Sequence, residues 1–455
     1  MEPVRTRRLT APDGGYGWVI VLAVFLQIAV PLQLMPLFGV LFGPKFEEFN
    51  ASPTEISSIY SVFIVFLNLI TIFVGPLGEL RSERFVAVCA TLVQVTGIVI
   101  CVFSTSTIHL VLGLGVICGS GIGISSINNV IIVNKYFKNK VGLALGIAIS
   151  AIGIFGLAVP QVIKNLIPNF DIQYVILMYA AMALIAGLAG ALLMQPVTKH
   201  LVPVEEEEVE DDPFLITRED FKPKEKEQTT CSKWPICTIF SHIKWSLLKD
   251  PFFLMIASGN SICVTSYMIQ VSEISLIAKA RNLSLDQRAD LLSILSATDI
   301  ISRFIQGFLA DLSCLANIFQ HPKKFLFTIC SLCLAGTMTA MAFAQTFQQL
   351  VFLVCLTSLF NSCLMLNSTQ IYRECFSSYF SSALGLSSLF RAFFALTMGP
   401  LAGYLKEYFQ DFRASLFFLS ISSSACMLCW ILMDCRSTQS RHKGSEQKEI
   451  HNLTE

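Results

Sequence analysis

Long apolar runs alternate with short polar connections along the whole chain. Each run has about the 20 residues that a helix needs to cross a bilayer. The first six runs cover residues 15–42, 56–77, 85–103, 110–133, 142–163 and 174–194, and six more begin near Pro251, Ala289, Lys324, Gln348, Ser381 and Arg413. This pattern predicts an all-α membrane protein with twelve transmembrane helices in two six-helix halves.

The polar segments divide the chain into five parts. We predict an N-terminal tail at 1–14, one half at 15–194, a linker at 195–250 with an acidic run at 205–212, a second half at 251–434 and a C-terminal tail at 435–455. Basic residues gather in the connections on one side of this plan. The positive-inside rule therefore places both termini and the linker in the cytoplasm.

Composition agrees with the membrane assignment. Of 455 residues, 54% are hydrophobic and 14% are charged, whereas roughly a quarter of the residues in a soluble domain are charged. The chain has no phosphate-binding glycine loop, no recognisable nucleophile with its base, and no His or Cys spacing typical of a metal site. We expect neither enzymatic activity nor a cofactor, a metal or a nucleic-acid partner.

Two opposite charges stand inside the eighth apolar run. Asp299 and Arg303 are four residues apart, so they share one helix face. A charge at this depth costs at least a few kcal/mol unless it faces a protein interior or water. Either the pair fixes helix packing, or Arg303 binds a substrate carboxylate while Asp299 holds the arginine in the empty site and accepts a proton.

Shorter patterns predict local structure. Ser52, Pro53 and Glu55 have the spacing of a capping box with proline at the first helical position. Gly115, Gly119 and Gly123 form a double small-xxx-small pattern, which allows close helix packing.

The phrase small-x-apolar-small-acid occurs once in each half, at residues 75–79 and 307–311. The two phrases end the second and the eighth run, which are matching positions. Parallel repeats of six spans are typical of major facilitator transporters, whose substrate site lies near the midplane between the halves.

Several motifs together resemble the monocarboxylate transporter family of that superfamily. The first-span signature is matched by Asp13, Gly14, Gly15, Tyr16, Gly17 and Trp18, and the fifth-span signature by Tyr136, Phe137, Leu143, Ala144, Gly146 and Ala148. Further matches are Ser258, Gly259 and Asn260, the pair Asp299 and Arg303, and residues 380–383, 385–386 and 400–403 around the eleventh span. The resemblance covers nearly the whole chain outside the linker and tails.

The resemblance implies a substrate site that contains Asp299 and Arg303, to which we add Asn260 and Arg391. Two positions depart from the family pattern. Leu37 follows Pro36 where the lactate carriers have a lysine, and Arg391 is an additional charge in the eleventh span. Arg391 could pair with a buried acceptor or with Glu273, which we expect at the outer membrane interface.

We therefore predict a secondary transporter of the plasma membrane that moves a small organic acid by alternating access, with a proton as the candidate coupling ion. The close alternative is a carrier of amphipathic or zwitterionic substrates, such as an aromatic amino acid, thyroid hormone, creatine or carnitine. A receptor-like relative that binds without transport is a third alternative. The resemblance also implies a single-span immunoglobulin-type glycoprotein as an escort to the cell surface.

Overall fold

The computed structural model describes residues 9–10, 13–72, 82–137, 140–196, 202–203, 245–310, 322–376 and 380–424. The first half contains helices α1 (Gly17–Ala29), α2 (Leu34–Leu41), α3 (Gly43–Glu48), α4 (Pro53–Leu69), α5 (Glu83–Val102), α6 (Thr107–Leu110), α7 (Gly119–Tyr136), α8 (Val141–Leu166) and α9 (Ile172–Leu193). The second half contains α10 (Pro251–Ala280), α11 (Leu285–Ala310), α12 (Pro322–Phe343), α13 (Phe347–Cys375), α14 (Phe380–Phe409) and α15 (412–424).

The remaining elements are short. A π-helical stretch (Val111–Cys118) joins α6 to α7, and 3-10 turns occupy Pro31–Gln33 and Trp245–Lys249. Two antiparallel strands, β1 (Leu9–Thr10) and β2 (Val202–Pro203), attach the chain before the first half to the chain that leaves it.

The start of α4 follows the predicted capping box. The Ser52 hydroxyl accepts a hydrogen bond from the Glu55 backbone N–H at 3.2 Å, and the Glu55 carboxylate accepts one from the Ser52 N–H at 2.9 Å. Pro53 takes the first helical position, where its missing N–H costs no hydrogen bond. Local sequence thus sets this helix start, and the prediction is confirmed.

The first span is interrupted because Pro31 cannot donate a helical hydrogen bond. The chain passes through the 3-10 turn at Pro31–Gln33 between α1 and α2. Two hydrogen bonds connect the residues of the break to neighbouring helices. Tyr179 donates to the Val30 carbonyl at 2.8 Å, and Gln33 donates to the Ile152 carbonyl at 2.6 Å.

The predicted glycine pattern brings α7 and the π-helical stretch onto α4. A Cβ added at Gly115 would lie 2.8 Å from Val62, and one at Gly119 would lie 2.8 Å from the Phe63 carbonyl oxygen. A Cβ at Gly123 would also collide with α4. The absence of side chains is therefore what permits this contact, as predicted.

Three helix pairs make the most extensive contacts between the two halves in the described part of the chain, namely α4 with α14, α8 with α11, and α2 with α10. We call this boundary the seam. Glycines allow close approach of the helices at this seam. Gly399 and Gly403 of α14 lie against Ser61 and Ser57 of α4. Gly153 and Gly156 of α8 lie against Ile300 and Ser296 of α11.

We name the two ends of the bundle by the first span. The proximal end is where α1 begins, and the distal end is where α2 ends. Polar contacts cross the seam at the distal end, where Lys279 pairs with Glu47 and Lys164 pairs with Asp286 at 3.4 Å. The halves therefore meet at the distal end.

Eight helical segments in the described part of the chain are long and apolar enough to cross a membrane, and α4 and residues Phe327–Phe343 of α12 are shorter apolar helices. Helix α11, which carries Asp299 and Arg303, is not among the eight. The all-helical membrane fold is confirmed, whereas the count of twelve spans stays a prediction. Both acid-bearing repeat phrases, most of the linker and both tails lie wholly or partly outside the described residues.

Candidate functional site

The pair predicted in the eighth span forms in the structure. Arg303 Nη2 lies 2.7 Å from Asp299 Oδ2, and the other carboxylate oxygen accepts a hydrogen bond from Ser362 of α13 at 2.8 Å. The Asp299 side chain is 14% exposed, whereas Arg303 is 39% exposed. The acid is therefore held from both sides, while the arginine presents further N–H donors to the space beside it.

Two tyrosines connect this pair to the seam. Tyr267 of α10 lies within electrostatic range of both Asp299 and Arg303. Tyr60 of α4, which belongs to the first half, lies close to Tyr267 and to Ser272. The Asp299–Arg303 pair, which we call the central pair, therefore lies where residues of both halves meet.

A second polar cluster surrounds Arg391 on α14, and we call it the Arg391 centre. Arg391 Nη2 donates to the Ser388 hydroxyl at 2.6 Å. Beside it is the hydroxyl of Tyr372 from α13, which is 1% exposed and lies next to Asn260 and Ser387 without a hydrogen bond of good geometry to either. The Nε of Arg391 is buried and also has no hydrogen-bond partner.

The structure thus divides the predicted binding residues into two groups. Asp299 and Arg303 are bonded to each other, whereas Asn260, which we expected beside them, lies with Tyr372 and Arg391. No sequence pattern singles out Tyr372, because its place depends on how α10, α13 and α14 pack.

Two expectations about Glu273, its exposure and its ion-pair partner, are wrong. It is 2% exposed rather than interfacial, and its partner is Lys406 rather than Arg391, with Nζ 2.7 Å from Oε1. Lys406 lies inside α14 with its side chain 4% exposed. Burial forces the two charges together, because each alone would lose its hydration.

Lys406 also reaches across the seam. Its Nζ donates to the Ser57 hydroxyl of α4 at 2.9 Å, and Ser415 of α15 donates to Glu273 Oε2 at 3.3 Å. One turn from Ser57, Thr54 donates to the Glu407 carboxylate at 2.5 Å. Lys406 therefore contacts an acid of its own half and a hydroxyl of the other.

Part of the first-span signature forms a tight turn at the proximal end. The backbone φ is 45° at Asp13 and 53° at Gly15, in the left-handed region that suits these residue types. The Asp13 N–H donates to the Tyr136 carbonyl at 3.2 Å, and the Gly14 carbonyl accepts from the Gly17 N–H at 2.9 Å. This turn joins the start of α1 to the end of α7.

The rest of the two signatures packs together. The Trp18 and Phe137 rings meet edge to face with centroids 5.2 Å apart. A Cβ at Gly17 would lie 2.8 Å from Phe137 Cζ, whereas one at Gly146 would meet open space. The signature residues at the start of α1 and the end of α7 therefore shape the fold at the proximal end and do not contact the charged clusters.

Leu37 stands where the sequence analysis noted a missing lysine. It is fully buried in α2, the helix that packs against α10 across the seam. This position therefore contributes packing and no charge.

A bundle of apolar helices in two halves, with charged clusters beside the seam between them, defines a membrane transporter. The chain belongs to the Major Facilitator Superfamily, whose family model matches residues 17–319 and 256–454. It is therefore an integral membrane transporter, and by its class it acts on a small-molecule substrate.

The resemblance to monocarboxylate transporters extends to named relatives. Human monocarboxylate transporter 12 is 27% identical, covering 90% of this chain and 79% of its own. Rat monocarboxylate transporter 13 is 24% identical over 90% of this chain and 86% of its own. Human monocarboxylate transporter 2 is 25% identical over 96% of this chain and 89% of its own. The predicted resemblance is confirmed over most of the chain.

Solved structures support the fold. The crystal structure of the nucleoside transporter NupG superimposes with a TM-score of 0.65 at 14% sequence identity, covering 92% of this chain and 99% of NupG. A point mutant of the same transporter gives a TM-score of 0.68 at 13% identity, covering 92% of this chain and 100% of the mutant. At this level of identity the likeness concerns the arrangement of the helices.

Proposed function

We propose that this transporter carries a small organic acid across the membrane by alternating access, with Arg303 binding the carboxylate. The observation that carries the proposal is the Asp299–Arg303 pair, in which the acid is 14% exposed and the arginine is 39% exposed. A guanidinium can bind a carboxylate through two parallel N–H···O bonds. The names of the monocarboxylate transporters to which the chain is similar support the same substrate class.

The transport cycle follows from the charges. In the empty site Asp299 neutralises Arg303. An incoming carboxylate competes for the guanidinium, and protonation of Asp299 makes that exchange easier because it removes the competing charge. Ser362 holds the acid in place in either state. Asp299 is thus the residue through which a proton is coupled to the substrate.

Orientation follows from the basic connections. Lys135 and Lys140 lie at the proximal end, beside the ends of α7 and α8. By the positive-inside rule this end faces the cytoplasm, as do both termini. The distal contacts across the seam then close the outer side. A plasma-membrane location and an immunoglobulin-type escort belong to the same proposal and rest on the family resemblance.

Uptake into proteoliposomes tests the proposal. The panel contains lactate, pyruvate, a longer monocarboxylate, phenylalanine, creatine and carnitine, with and without an inward proton gradient. We expect accumulation of carboxylic acids and its loss in Arg303→Gln. Uptake of the zwitterions alone would establish the alternative substrate class. Saturable binding of the acids without accumulation would establish a receptor-like protein.

A further inference from the structure

The Arg391 centre has the composition of a binding site for an anion. It brings a guanidinium, a phenol, an amide and two serine hydroxyls to one place. The Arg391 Nε is buried without a hydrogen-bond partner, and the Tyr372 hydroxyl is buried beside Asn260 and Ser387 without a hydrogen bond of good geometry to either. A buried donor without an acceptor destabilises the folded protein, and more so when it is charged. The two donors therefore favour a ligand that supplies oxygen acceptors.

The charge balance leads to the same conclusion. Among the described residues, Arg303 pairs with Asp299 and Lys406 pairs with Glu273, whereas Arg391 bonds to a neutral serine. If a substrate carboxylate replaces a protonated Asp299 at Arg303, the charge of Arg391 still lacks a counter-charge. A second negative group on the substrate would neutralise it, and the described residues around Arg391 supply none.

Helix α10 relates the two clusters to each other. Asn260 belongs to the Arg391 centre and Tyr267 accompanies the central pair. They are seven residues apart, so they lie on the same side of α10 and about 10 Å apart along its axis. One elongated molecule can therefore approach both clusters from the same side of this helix.

We propose that the substrate is an acid with two anionic groups, one bound at Arg303 and the other at the Arg391 centre, where Tyr372 donates a hydrogen bond. This proposal rests on the proposed function and refines its substrate class. Arg391 keeps its charge at every physiological pH, so the second anionic group is needed with or without a proton on Asp299.

Competition and direct uptake in proteoliposomes test this substrate class. The probes are the straight-chain dicarboxylates from succinate to suberate, each compared with the monocarboxylate and the terminal half-amide of equal length. We expect one or two chain lengths to be preferred over their monocarboxylates by roughly tenfold or more in kcat/KM, the size expected for one charge-assisted hydrogen-bonded contact. The half-amide should be transported no better than the monocarboxylate, because it has the length of the dicarboxylate but lacks its second charge.

Three variants separate binding from folding. Arg391→Gln should reduce dicarboxylate uptake at least tenfold more than it reduces monocarboxylate uptake, so the ratio between them collapses. Tyr372→Phe keeps the ring and should raise the dicarboxylate KM with little change in kcat. Thr397→Ala, on the same helix, removes a hydroxyl that bonds only to the Phe393 and Phe394 carbonyls, and it should leave the ratio unchanged.

The outcomes distinguish this inference from the proposed function. Equal transport of monocarboxylates and dicarboxylates by the original chain, with an unchanged ratio in Arg391→Gln, would overturn the second site and leave the organic-acid transporter intact. Failure to transport any carboxylate would overturn both. Loss of both substrates in Arg391→Gln, at normal surface level and thermal stability, would show that Arg391 serves a single common site, which also contradicts the proposal.

Discussion

Lys406 and Glu273 form an ion pair that is closed to solvent, with 2.7 Å between Nζ and Oε1 and side chains 4% and 3% exposed. The two residues come from different helices of the second half, while the same ammonium group also bonds to Ser57 of the first half. Lys406 is thus shared between the internal packing of one half and the contact between both.

Lys406→Met should lower folded protein and surface level strongly. It leaves Glu273 buried without its cation, and breaking one side of a buried pair costs roughly 3–5 kcal/mol. The double variant Glu273→Gln with Lys406→Met should recover much of the stability. Thermal unfolding in detergent and surface biotinylation measure both. A single variant as stable as the original chain would show that the pair contributes no more than a surface contact.

Arg303→Gln should abolish carboxylate uptake while surface expression stays near normal, because the arginine acts as a ligand and is 39% exposed. Arg303→Lys keeps the charge and should retain part of the activity with a higher KM, since an ammonium group cannot make the same two-pronged contact. Uptake and surface level are measured in parallel. Recovery of transport by Asp299→Asn combined with Arg303→Gln would show instead that the pair is structural.

Leu37→Lys should give uptake a new dependence on pH. A lysine in a dry environment can release its proton, whereas leucine has none to give and Arg303 and Arg391 keep theirs. We expect weak proton coupling in the original chain and uptake that rises as the external pH falls in the variant. Leu37→Met, which keeps an apolar side chain of similar size, is the control. A steep pH dependence already present in the original chain and in Leu37→Met would contradict this prediction.

Gly17→Ala should weaken the proximal end. The new Cβ would lie 2.8 Å from Phe137 Cζ, so the ring must shift. Overpacking of this kind typically costs about 1–3 kcal/mol. Gly146→Ala is the matched control, because a Cβ there meets open space. Thermal unfolding compares the two variants, and equal stability would exclude the packing role given to the signature.

An epitope inserted near Glu208 should be accessible only after cells are permeabilised. The residue lies outside the described part of the structure, in the linker that we expect in the cytoplasm from the positive-inside rule. Antibody labelling of intact and permeabilised cells provides the measurement. Labelling of intact cells would reverse the orientation and place the distal end inside.

Sequence spacing predicted those features that depend on neighbours within one helix. The capping box of Ser52 and Glu55, the glycine face of α7 and the bond from Arg303 to Asp299 all follow from offsets of three or four residues. Such offsets are fixed by helix geometry before any tertiary contact forms.

Contacts between distant helices were not predictable in this way. Glu273 and Lys406 are 133 residues apart, and each could have reached water at the end of its span. Only the packing of α10, α14 and α15 buries both. The proximity of Asn260 to Tyr372 was not predictable for the same reason, since sequence adjacency of two helices does not decide which faces meet. The motif residues Asp13 to Trp18 were recognised, but their packing against Phe137 required the structure.

The contact between α4 and α14 has an energetic consequence for turnover. Where Gly399 and Gly403 of α14 approach α4, the facing side chains include those of Ser61 and Ser57. A leucine-lined contact would expose apolar area on separation at about 25 cal/mol per Å². Serines can exchange their protein partners for water, and glycines expose little apolar area. Water can therefore enter and leave this part of the seam in each transport cycle at low free-energy cost. The closed arrangement is then not a kinetic trap.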